Sequence, residues 1–197
     1  MSFTRCLLAG IGLSWWCSWP SDAQQVTQPL RGVSFALPTS LPALAQADGV
    51  GTLVFGRPLP TLLEEVAACH VLKGERVACL ASTYTISVDS LHLTGLTLLS
   101  YTGLLYGIYL PPCRVTDTPY LLRWLQQHYG PGQVLGKGQL LWQGPRISVV
   151  YEPVVTWQRV GRSRAASVAQ VQGIVGVLST TILAQAQADQ VLLRSLK

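Results

Sequence analysis

The chain has 197 residues, 49% of them hydrophobic and only 12% charged, and a formal net charge of +5. That length holds one domain with its own core, and no linker rich enough to divide it into two is visible. The basic residues Arg31, Arg57, Arg76, Arg114, Arg123 and Arg146 are scattered singly and only Arg159, Arg162 and Arg164 cluster, which argues against the one-sided basic face of a nucleic-acid binder.

In chain order, Met1 to Ala23 reads as a secretory signal: Arg5 supplies the charge, Cys6 to Trp16 the apolar core, and Ser21-Asp22-Ala23 the small residues before a cleavage site. Cleavage after Ala23 makes the protein periplasmic or secreted. Trp15-Trp16 ahead of Cys17 lacks the small residues that precede a lipidated cysteine, so no lipoprotein is expected. The chain contains no Asn and hence no N-glycosylation acceptor, which favours a bacterial envelope. Residues 24–54, rich in Pro, Gln and Ala, read as an extended lead-in in which Val33 to Leu37 can add an edge strand.

Residues 55–160 carry the element signals of an α+β domain. Pro58 and Pro60 precede Leu62, Leu63, Val66, Ala67 and Val71, whose spacing predicts a helix over Leu59 to Leu72. Three strands follow over Val77 to Val88, Leu91 to Ser100 and Leu104 to Leu110, with turns at Asp89-Ser90 and Tyr101-Thr102-Gly103. A second helix over Thr116 to Tyr129 starts at Asp117 or Thr118 with Pro119 in its first turn, and stops at Gly130-Pro131-Gly132. Strands over Gln139 to Gln143 and Arg146 to Val155 come next. The C-terminal segment 161–197 is expected to be a long helix from Ala165 onward. The fold class is α+β, an antiparallel sheet with helices packed on one face plus a long C-terminal helix.

Cys69 and Cys79 can close a short disulfide loop in an oxidising compartment, contributing roughly 2 to 3 kcal/mol. Cys113 is then unpaired, either buried or joined to another molecule. His70, His92 and His128 form no paired ligand motif, so neither metal nor cofactor is expected. Gly130 to Gly138 lacks the spacing and the Ser or Thr of a phosphate loop and reads as a Gly-rich connection. The eight carboxylates after Ala23 include no acid pair by spacing; folding always lets some pair among eight meet, and Glu64 or Glu65 with Glu152 would be a glycosidase-like example. No catalytic residue is assigned. The residues that suit an interface are Tyr106, Tyr109, Trp157, Arg159, Arg162 and Arg164. Tyr106 and Tyr109 are three positions apart and are expected on opposite sides of a strand.

Phe55-Gly56-Arg57-Pro58-Leu59 before a helix, then a meander, then a helix ending Tyr129-Gly130-Pro131 and strands holding Trp142 and Ile147, resembles the small exported α+β proteins of Gram-negative envelopes, with a BamE-like or β-lactamase-inhibitor-like layout. The resemblance covers Phe55 to Trp157 and transfers no functional residue. Export together with the missing catalytic inventory points to a non-catalytic exported protein that binds another envelope or secreted protein as an accessory or assembly factor. An inhibitor or immunity-type protein is the alternative, followed by an envelope hydrolase and by a peripheral protein laid on a membrane surface through the C-terminal helix.

Overall fold

The computed structural model describes residues 33–59, 68–72, 75–159 and 167–195. The segment expected to be a secretory signal and the remaining residues lie outside these stretches. In chain order the elements are β1 (Val33–Ala36), α1 (Leu41–Gln46), β2 (Gly49–Val50), β3 (Leu53–Val54), β4 (Ala68–Val71), β5 (Arg76–Val88), β6 (Leu91–Tyr101), β7 (Leu104–Tyr109), α2 (Thr118–Tyr129), β8 (Gln133–Gly136), β9 (Gln139–Gln143), β10 (Ile147–Arg159), β11 (Ser167–Ser179) and α3 (Thr180–Ser195).

Nine strands form one sheet in the order β1-β5-β6-β7-β11-β10-β9-β8, with β4 sharing the outer edge of β5 with β1. Only β1 runs parallel to its neighbour; the other pairings are antiparallel. The fold class is the one expected, a mixed α+β protein with a C-terminal helix. The β6–β7 and β8–β9 turns place Thr102 and Gly103, and Lys137 and Gly138, at positive φ, the backbone that a two-residue hairpin with right-handed strand twist requires.

Both sheet faces are covered. On the first, α2 buries Leu121, Trp124, Leu125 and Tyr129 against Leu98, Ile108, Val149 and Val175, and α1 adds Leu44. On the second, Ala186 of α3, with Ile182 and Leu183, packs on Leu99, Tyr101, Tyr106, Tyr109, Val150, Ile174 and Leu178. Pro119 opens α2 and Gly130, at φ 88°, closes it. The Trp142 indole N–H then donates to the Gly130 carbonyl at 2.8 Å and holds that helix end on β9.

Five expectations are corrected. The helix expected over Leu59 to Leu72 ends in strand β4, where Cys69 lies opposite Cys79 and the disulfide joins them; residues 60–67 lie outside the described part. A cross-strand covalent bond overrides the helical spacing there. Residues Ser167–Ser179, expected within the C-terminal helix, are β11. Val168, Val171, Ile174, Val175 and Val177 are β-branched, and Gly173 and Gly176 give a helix no support. Helix α3 begins only at Thr180, where the Ser179 hydroxyl accepts from the Ile182 N–H at 3.4 Å. The Gly-rich connection contains strand β8, and the lead-in contains α1 and the β2–β3 hairpin besides β1. Finally, Tyr106 and Tyr109 share the second face and both are buried. The β6–β7 register shifts between Leu99 and Ser100, which face Gly107 and Leu105, so Tyr106 is the extra residue of a bulge and the alternation is reset. Neither tyrosine is available as a surface contact.

Candidate interaction surface

Strands β10 and β11 pair with one another along their whole thirteen-residue lengths. Their other neighbours stop early. Strand β9 reaches only Ser148 to Tyr151 of β10, and β7 only Gly176 to Leu178 of β11. The chain after β7 secures β11 a little further: Leu110 N–H donates to the Val175 carbonyl at 2.8 Å, Cys113 N–H to the Gly173 carbonyl at 3.1 Å, and Gly173 N–H to Thr118 Oγ1 at 3.0 Å.

Those bonds orient the next rungs. Gly173 directs its N–H and C=O away from β10, so Gly173 and Pro153 are a non-hydrogen-bonded pair, and the Pro153 nitrogen faces the β9 side. Lacking an N–H, Pro153 cannot extend that ladder. Beyond it β10 and β11 continue as a two-stranded arm.

Alternation then sets the arm's faces. Val155 is opposite Val171 and Trp157 opposite Ala169, on the side that holds Tyr151 and Val175 in the core, past the start of α2. Val155 is 46% exposed, Val171 44% and Trp157 63%. A row of core-facing positions thus runs out of the core into solvent. The opposite face carries Val154, Thr156, Gln170, Gln172 and the exposed Val168. From Pro153 to Ala188 the sequence has no Asp or Glu. Of the basic cluster, Arg159 ends β10, while Arg162 and Arg164 lie outside the described residues.

A second cluster lies under α3. The Tyr101 hydroxyl donates to Asp189, and that bond, with burial and the charge of Asp189, pushes the phenol up to about 12. Arg76 hydrogen-bonds Tyr106. Tyr109 is fully buried beside Glu152, and both effects push its phenol up. Glu152 is only 4% exposed, and burial holds its carboxyl above the ordinary carboxylate range. With the folded value above the unfolded one, the stability Glu152 contributes is full below the unfolded pKa and is lost as pH rises through the folded pKa. Glu152→Gln is therefore expected to raise Tm at about pH 8 and to change it little at about pH 4. Equal shifts at the two pH values in calorimetry would show that the buried charge is not the cause.

The remaining candidates do not converge. Cys113 is free and buried, with Thr118 Oγ1 at 3.3 Å. His92 bonds Ser87, and His128 Nδ1 donates to the Trp124 carbonyl at 2.8 Å, whereas the thiol's contact is with Thr118. Glu64 and Glu65 lie outside the described residues. Among the described residues no group of three His, Cys, Asp or Glu side chains is placed to hold a metal ion, and no helix is long and apolar enough to cross a membrane. The disulfide is consistent with an oxidising, extracytoplasmic location.

Sequence reading singled out Trp157 and Arg159 and passed over Val155, Val168 and Val171, which share the arm with them. The period-two run Val149, Tyr151, Pro153, Val155, Trp157 was the available signal. No family model, no curated protein and no solved structure matches this chain.

Proposed function

We propose that this protein is a non-catalytic, exported accessory factor that binds another envelope protein through the exposed face of the β10–β11 arm. The observation that carries the reading is the uncovered apolar row Val155, Trp157 and Val171. A two-stranded ribbon is marginal in water by itself, and large apolar side chains grouped on one are normally covered by a partner. Trp157 is the residue type that dominates binding energy at protein interfaces, because it offers wide apolar area and a polar N–H. The row ends toward Arg159, and the absence of carboxylates from Pro153 to Ala188 suits a partner whose apolar cleft is edged by acidic groups. The disulfide and the signal-like N-terminus support an envelope address.

The test is a photoreactive residue placed at position 157 of the full chain, in cells, with position 134 on β8 as the control. A discrete protein adduct at 157 and none at 134 is expected. Trp157→Asp should then weaken binding to that purified protein by at least about 2 kcal/mol, the scale of an interface hot spot. No protein adduct at 157, together with salt-reversible binding of the purified chain to vesicles containing anionic lipid, would replace the protein partner by a membrane surface.

A further inference from the structure

We infer that the depression between the β5–β6 turn and α2 is a binding site for a small neutral saccharide, separate from the arm and independent of its role. The depression has a volume of about 420 Å³ and is lined by Asp89, Tyr120, Arg123, Trp124, Gln127 and His128, within the size range of small-molecule sites. Its wall on α2 follows from helical spacing: Tyr120, Arg123, Trp124, Gln127 and His128 recur at three- and four-residue steps and form one stripe. Trp124 belongs to the core as well, so the depression stands on a rigid floor.

Four of the six lining side chains, Trp124, His128, Asp89 and Tyr120, are engaged with one another in two pairs. His128 stacks on Trp124 with centroids 4.1 Å apart and planes 20° from parallel, and its Nδ1–H donates to the Trp124 carbonyl at 2.8 Å. This fixes the ring and leaves Nε2 for another partner. Across the opening Asp89 sits at φ 53° in the two-residue turn, a position where glycine would be freer. The Tyr120 hydroxyl donates to its Oδ2, and Oδ1 has no hydrogen bond among the described residues. Arg123 and Gln127, both exposed, lie one helical turn apart, and among the described residues Arg123 has no ion pair.

The chemistry selects the ligand class. Five of the six lining residues carry polar groups beside the indole of the sixth, so an apolar ligand would leave them unpaired. Asp89 and Arg123 carry opposite charges that cancel, which disfavours a phosphate or another strong anion, since Asp89 would repel what Arg123 attracts. A carboxylate, a guanidinium and a carboxamide are planar groups that bond pairs of neighbouring hydroxyls, and the fixed imidazole offers a flat surface to the C–H face of a sugar ring. A polyhydroxylated, uncharged ring of one or two units satisfies all of these groups together.

The test is titration of the ¹⁵N-labelled full chain with cellobiose and with the disaccharide of N-acetylglucosamine, followed by amide shifts and the Arg123 Nε–H signal. Saturable shifts confined to Asp89, Arg123, Gln127 and their neighbours are expected with at least one disaccharide. Arg123→Ala and Gln127→Ala, both at exposed positions, should each weaken binding about tenfold while leaving the rest of the amide spectrum in place. Trp157→Asp should leave the titration unchanged, which separates this site from the arm. Absence of saturable shifts with either sugar, or shifts of the same signals by inorganic phosphate alone, would overturn the inference.

Discussion

Unfolding of the Cys69→Ser/Cys79→Ser double variant is expected to require about 3 kcal/mol less than that of the parent chain, the entropy estimate for a loop of this size. The bridge spans a sequence separation of 10 and joins residues directly opposite each other on β4 and β5. The Leu72 N–H bonded to the Arg76 carbonyl makes Cys69 and Cys79 a non-hydrogen-bonded pair, where side chains on adjacent strands come closest. Among the described residues β4 pairs only with β5, and three of its four residues are exposed. It has little burial of its own to keep it on the sheet, so the covalent bond restricts both the unfolded chain and the detached strand. Removing both sulfurs leaves Cys113 as the one cysteine among the described residues. Urea unfolding decides the matter: a loss below about 1 kcal/mol would mean that backbone pairing alone holds β4.

Gly176→Val is expected to destabilise the fold by about 3 kcal/mol, the upper part of the range for overpacking. The sign is informative, because strand propensity alone favours valine over glycine. Gly176 lies opposite Tyr109, and a Cβ there would come within 2.8 Å of Cε1 and Cζ of that ring. Tyr109 cannot swing away, since it is buried between Leu99, Ile174 and Leu178 on the face closed by α3. Gly173, three residues earlier and on the opposite face, repeats the device: a Cβ there would come within 2.7 Å of Tyr151 Cε2. Two glycines on β11 thus make room for two aromatic rings from neighbouring strands. Combining Gly176→Val with Tyr109→Ala should recover part of the loss, a coupling that thermal unfolding of the four proteins of the cycle measures directly.

These glycines also show where sequence reading succeeds and fails. Strands β5 and β6 are legible because each carries its own alternation and ends at a turn held at positive φ, Asp89 and Thr102-Gly103 respectively, and β7 because it starts after the second of these turns and stops ahead of Pro111-Pro112. Helix α2 is legible because Pro119 and Gly130 bracket it. The signals for β4 and β11 are not local: Cys69 needs Cys79 beside it, and Gly173 and Gly176 read as helix interruptions until Tyr151 and Tyr109 are seen across them. The Tyr106 bulge depends on the β6 register and has no signature of its own. Trp157 and the arginine cluster stand out by composition. Val155, Val168 and Val171 join them only once β11 is known to be a strand, because a face is defined by the pairing. Nothing in the order of residues connects Asp89 with Arg123 and His128, and only the packing of α2 over the first face brings the β5–β6 turn to them.

The position of β11 between β7 and β10 bears on how the protein is made. The last strand to be synthesised is the one that joins the two halves of the sheet, β1 to β7 on one side and β8 to β10 on the other. Until residue 179 is free of the machinery that produces or translocates the chain, each half has an open edge and neither has its complete core. Closure of the sheet consequently waits until the chain through residue 179 has emerged, and an export route that threads unfolded chain through a membrane would receive a substrate whose topology delays its own closure.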